Sequence, residues 1–168
     1  MRVAIVGATG FVGSRLVAEA IRRGHLVTAI TRDVRKIESG NAITAVEADV
    51  MNIDALKLAF AGIDAVIHAY APPKIDIEAR IAMQSAATRA IIKAMKDVGA
   101  VRLLAVGGAG TLEVAPGIRF MDTYLFPNMW LGGALSTAVI KEILESEQGL
   151  IWTSLSPAHL LEPGERTG

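Results

Sequence analysis

Gly7, Gly10 and Gly13 recur at every third position in Gly7-Ala-Thr9-Gly10-Phe11-Val12-Gly13. Glycines so spaced let a backbone come close to a phosphate, provided a strand ends before them and a helix begins after. Both conditions are met. Arg2-Val-Ala-Ile-Val6 is a short apolar run of the kind a buried parallel strand needs. After the turn, Val12, Leu16, Val17, Ala20 and Ile21 fall on one helical face, with Ser14, Arg15, Glu19, Arg22 and Arg23 on the other. The turn therefore predicts a pyrophosphate cradle built from Gly7, Thr9, Gly10, Phe11, Val12 and Gly13 at a helix N-terminus.

The run Leu26-Val-Thr-Ala-Ile30 ends in Thr31-Arg32-Asp33. In a dinucleotide fold this strand tip decides the cofactor. A carboxylate there binds the ribose hydroxyls and repels a 2′-phosphate, whereas a guanidinium pairs with phosphate and stacks on adenine. Thr31 at the tip with Arg32 next favours NADP(H) over NAD(H). The alternatives are that Arg32 is a solvated loop residue and that Asp33 caps a helix or engages the ribose. Arg15 and Arg35 read as ordinary helix surface. Asp49 closes the next strand, placed either for the adenine amino group or as an N-cap, and Val50 is expected to pack on the ring. Ala69, Tyr70 and Ala71 follow the fourth strand and are expected beneath ribose and nicotinamide, with Gly107 beyond the fifth. His68 lies within a strand and reads as a packed core histidine.

These groups are positioned by a regular alternation of strand-like and helix-like segments. The strands are Val3–Val6, Leu26–Thr31, Ile43–Ala48, Ala65–Ala69, Arg102–Val106 and Ile151–Leu155. Helices are predicted over 11–23, 33–38, 52–60, 74–98 and 134–148, and Gly24, Gly62, Gly99 and Gly149 stand at helix ends. The pattern predicts one α/β domain over 1–168, a doubly wound parallel Rossmann sheet in the order 3-2-1-4-5-6 with helices on both faces. One long stretch, from Gly107 to about Gly133, reads as irregular; its Phe120, Tyr124, Phe126 and Trp130 either pack the loop or serve a ligand.

Composition narrows the function classes. The 168 residues carry 17 basic and 17 acidic side chains, so no nucleic-acid-binding surface is expected. The absence of cysteine excludes disulfides, thiolate metal sites and a cysteine nucleophile, and no metal site is expected. Arg2 with Ala18-Glu19-Ala20 imitates a signal peptide, but the glycines interrupt the apolar run. No segment has the apolar length of a membrane span, and a cytoplasmic location is expected. The apolar fraction of 52% leaves room for a homo-oligomer face.

With GATGFVG, the strand-end TR, EADV, GIDAVIHAYAP, LLAVGGAGTLEVAPG and LSPAHLLEPGERTG, the chain resembles the atypical short-chain dehydrogenase/reductase superfamily. It is most similar to the branch of flavin reductases, biliverdin reductase B and NmrA-like proteins. The resemblance implies NADPH-dependent reduction of a flavin, quinone or similar planar acceptor. It also implies further C-terminal elements on the substrate side, which this chain is expected to lack. Many members carry a Tyr-x-x-x-Lys pair after the fifth strand. Here Tyr124 is followed by Asn128, and the Tyr70/Lys74 spacing straddles Pro72-Pro73 and reads as chance. Where biliverdin reductase B-like members place a serine, this chain has Gly107-Gly108 and then Thr111. The matching histidine position makes His159, in Ser156-Pro-Ala-His159, the candidate catalytic residue, able to orient the acceptor or donate a proton; the alternative is a loop histidine or a helix-terminal contact. An NADP(H)-sensing regulator without turnover is the alternative, and a nucleotide-sugar epimerase or dehydratase suffers from the missing pair.

Overall fold

Strands that are apolar at consecutive positions must bury both faces, and the first strand does so. In the computed structural model, which describes residues 1–162 and 164, β1 (Arg2–Val6) sends Ala4 and Val6 into one core cluster and Val3 and Ile5 into another. It is followed by α1 (Gly13–Arg22), β2 (Leu26–Thr31), β3 (Ile43–Glu47), α2 (Ile53–Phe60), β4 (Ala65–His68), α3 (Ile77–Asp97) and β5 (Arg102–Val106). A small hairpin, β6 (Glu113–Ala115) and β7 (Ile118–Arg119), leads into α4 (Asn128–Glu145) and β8 (Ile151–Leu155). Six strands pair in parallel in the order β3-β2-β1-β4-β5-β8. This is the expected doubly wound Rossmann order, with β8 as its sixth strand.

Helix ends follow local chemistry. Asn52 and Asp76 cap α2 and α3 by accepting from the N–H groups of Ala55 and Ala79 at 3.0 and 2.9 Å. The cap at Asp76 starts α3 at Ile77, three residues later than position 74 of the expected helix, so Tyr70 and Lys74 share no helix. Gly24, Gly62, Gly99 and Gly149 all have positive φ, as expected at helix ends.

The stretch expected to be irregular up to Gly133 is corrected: α4 already begins at Asn128. Gly132 and Gly133 sit inside it because α4 lies close against α3, where a Cβ on Gly132 would stand 3.2 Å from Ile77 Cγ1. The aromatics of the preceding loop form a chain of edge-on contacts, Phe120–Phe126 at 5.1 Å and Phe126–Trp130 at 6.5 Å between ring centres. Tyr124 stays out of it, 95% exposed.

Cover of the sheet is unequal. α2, α3 and α4 pack one face around Phe60, Leu56, Ile91, Met95, Leu103 and Leu144. On the other face α1 covers β1 and β2, whereas Ile151 and Leu155 of β8 remain 62% and 72% exposed among the described residues. Strand register puts Arg102 beside Ile151 and Val106 beside Leu155 on that open side.

Candidate cofactor cleft

The carboxyl ends of β1, β2, β4 and β5 open onto one cleft of about 410 Å³. It lies where the strand order reverses, with β1 flanked by β2 on one side and β4 on the other. The glycine turn forms its wall. Gly7 and Ala8 donate to the Ile30 carbonyl at 3.2 Å each, and Ala69 N–H donates to Val6 O at 2.9 Å, which ties the turn to both neighbouring strands. At Gly7, φ is +84° and a Cβ would lie 2.7 Å from Ala69 O, so only glycine fits. Helix α1 starts without a side-chain cap, leaving its first N–H groups without a side-chain partner beside Phe11 and Val12 of the lining. A cradle of bare backbone at a helix N-terminus suits a pyrophosphate.

Gly13 serves differently. It lies outside the cleft lining, and a Cβ there would stand 2.0 Å from the Gly7 carbonyl oxygen. Its smallness lets α1 pack against the turn.

At the β2 end, Thr31 is buried and its hydroxyl pairs with that of Thr9 at 3.1 Å while accepting from Asp33 N–H at 3.2 Å. Arg32 is exposed, lines the cleft, and makes no hydrogen bond or ion pair among the described residues. Asp33 also lines the cleft, but its carboxylate is engaged. It caps the short turn over 34–36 and accepts from Arg35 Nε at 2.8 Å, and that guanidinium holds its pKa below the usual carboxylate range. Arg35 is thus the tether of Asp33. Arg15 stacks on the Phe11 ring, its guanidinium carbon 4.3 Å from the ring centre.

Along the floor, Val50, Ala69, Tyr70, Ala71 and Gly107 line the cleft as expected. Burial raises the Tyr70 pKa, with Arg32 opposing and Asp49 reinforcing the shift, so the phenol feels the charges of the β2 end. Asp49 is outside the lining: its Oδ1 accepts from Met51 N–H at 2.9 Å in a local turn, and Asn52 rather than Asp49 caps α2. His159 also lies outside, exposed, with its ring edge-on to Phe120 at 6.1 Å.

His68 is packed beneath the floor with Gln84, Thr88 and Ser136, all at most 1% exposed. Thr88 donates its proton to Gln84 O at 2.8 Å, and His68 Nε2 stands 3.1 Å from Thr88 Oγ1 and 3.3 Å from Gln84 Nε2. His68 Nδ1 has no hydrogen-bond partner among the described residues. Burial lowers the His68 pKa to about 4.

Two polar side chains of the lining were missed from the sequence, besides the apolar Val6, Ile30, Ala48 and Val106. Lys36, four positions after Arg32, reaches the same end of the cleft and is held only at 3.9 Å from Asp33; its place in TRDVRK was the available signal. Thr137 of α4 lines the opposite end near Gly107. No sequence signal marked it, because α4 reaches the cleft only through its packing against Gly108, where a Cβ would stand 2.2 Å from Thr137 Oγ1.

A parallel sheet with a glycine turn, an uncapped helix and an elongated cleft across the switch point defines a dinucleotide-binding Rossmann protein. The family described as NAD(P)H-binding matches residues 7–168, and the chain belongs to it. Uncharacterized protein YwnB of Bacillus subtilis is 37% identical over 173 residues, spanning 100% of this chain and 77% of that protein. A Bacteroides thetaiotaomicron structure described as a candidate epimerase is 36% identical with a TM-score of 0.87, covering 99% of this chain and 74% of that one. A Streptococcus pneumoniae structure described as a candidate NADH-flavin reductase is 30% identical with a TM-score of 0.83, covering 99% and 77%. The family and these neighbours agree with the atypical short-chain dehydrogenase/reductase superfamily and with a reductase-like fold that binds a nicotinamide cofactor. Among the described residues no helix is long and apolar enough to cross a membrane.

Proposed function

We propose that this protein is an NADPH-dependent reductase whose acceptor is a planar, flavin-like or quinone-like ring that needs no proton from a side chain. One observation carries the reading: the hydroxyl protons of Thr111, Ser156 and Thr137 around the β5 end of the cleft are already taken by the protein. Thr111 donates to Gly108 O at 2.8 Å, so in its 2.9 Å pair with Ser156 the serine is the donor. Thr137 donates to Gly133 O and Ala134 O at 3.1 and 3.0 Å. Burial holds the Tyr70 phenol of the cleft above its usual pKa, which makes it the weaker acid. A ketone or an epimerisation intermediate needs an acid where hydride is exchanged, whereas a flavin or quinone can take its proton from water.

A bound nicotinamide dinucleotide supplies the hydride; the chain binds, aligns and shields. Arg32 and Lys36 favour a 2′-phosphate at the β2 end, while Asp33 is held by Arg35. The apolar floor of Val50, Ala69 and Ala71 limits water beneath the rings.

The test is NADPH oxidation against a panel of flavins and quinones, with turnover of at least one expected. A silent panel overturns the reductase reading; NADPH binding that persists without turnover supports a sensing regulator instead. The exposed Tyr124, Leu125 and Met129 near the start of α4, at 95%, 65% and 85%, favour that second reading as a partner surface. On the reductase reading His159→Ala alters turnover by less than about threefold, whereas a loss of about 10²-fold or more would restore it as the acid.

A further inference from the structure

We propose that Thr137 reads the cofactor's carboxamide, its hydroxyl oxygen accepting a hydrogen bond from the amide N–H₂ group. Arg32 and Thr31 mark the adenosine end of the cleft and the glycine turn marks the pyrophosphate. Val106, Gly107 and Thr137 therefore stand at the end left for the nicotinamide.

Thr137 presents lone pairs there and no proton. A threonine hydroxyl has one proton and two acceptor positions, and this proton is shared between the Gly133 and Ala134 carbonyls one turn back along α4. A partner arriving from the cleft must therefore donate. The nicotinamide ring carries one conventional N–H donor group, its carboxamide.

The surrounding backbone is shaped to admit that contact. A Cβ on Gly108 would stand 2.2 Å from Thr137 Oγ1, and one on Gly107 would stand 2.9 Å from Ser156 Oγ. The bare Gly108 at the tip of β5 thus leaves room for the Thr137 hydroxyl, beside Gly107 in the lining. Packing of α4 on the 109–111 turn holds it from behind, with Ala134 Cβ 2.7 Å from where a Gly110 side chain would begin.

The inference rests on a nicotinamide cofactor in the cleft, not on turnover, so binding alone tests it. Titration calorimetry compares NADP⁺ with its 3-acetylpyridine analogue, in which a methyl replaces the amide N–H₂. Wild type is expected to bind NADP⁺ about fivefold more tightly, the worth of one neutral hydrogen bond. Thr137→Val should bring the two ligands within about twofold by weakening NADP⁺ alone, and Thr137→Ser should restore the difference. A preference that survives Thr137→Val overturns the proposal. So does equal binding of both ligands by wild type, a result that needs no folded variant. A chain that binds neither ligand overturns the cofactor reading itself, and a silent acceptor panel with the fivefold preference intact overturns only the reductase reading.

Discussion

Arg32 and Arg35 stand three positions apart and serve opposite ends. Arg35 neutralises and holds Asp33, while Arg32 keeps its guanidinium unpaired at the cleft. Arg32→Ala should therefore weaken NADP(H) far more than NAD(H), by about 1.5–3 kcal/mol for a lost charge-assisted pair, measured by titration of each dinucleotide. An unchanged preference would move the phosphate site to Lys36. His68 makes a second prediction. Its pKa falls from 6.5 to about 4 on burial, so between those values the unfolded chain binds a proton that the native chain refuses. Stability is then full above the upper value and is lost as pH falls through the window, by on the order of 3 kcal/mol in total. Urea unfolding across this range should show the slope, and His68→Leu should flatten it while lowering overall stability.

The βα turn is the element on which the cleft depends. Gly13→Ala would set a Cβ 2.0 Å from the Gly7 carbonyl, backbone against backbone, with no side chain able to yield. It should cost about 3 kcal/mol or more and abolish dinucleotide binding. Gly24→Ala is the contrast: φ is +77° but nothing lies within 4 Å, so only the left-handed penalty of about 1 kcal/mol applies and binding persists. Thermal melts with NADP⁺ titration separate the two. Bounds of the six strands of the parallel sheet were almost wholly legible as apolar runs flanked by glycine and polar residues, whereas the β6–β7 hairpin fell in the stretch read as irregular. The start of α4 was not. Asn128 to Gly133 carries two glycines and no side-chain cap, and its helix is set by close packing on Ile77 of α3.

For the molecule as a whole, stability and recognition are separable. Phe60, at the end of α2, is fully buried in the core and lies outside the cleft lining. Phe60→Ala should cost about 3–5 kcal/mol in denaturant unfolding and leave the ratio of NADP(H) to NAD(H) affinity unchanged. The uneven cover of the sheet belongs here too. Apolar residues of β8 give no hint in sequence of which side is left open, since a strand buried on both faces and one buried on a single face differ here by only a few side chains.

Local patterning was enough to determine the sheet strands, the glycine turn and the basic tip of β2, because each rests on residues adjacent in the chain, whereas the strand order followed from the rule for doubly wound folds. Tertiary packing alone decided which side chains reach the β5 end of the cleft. Thr137 arrives there from α4 across Gly108, whereas His159 leans on Phe120. A side chain's direction depends on what it packs against, and those partners lie tens of residues away.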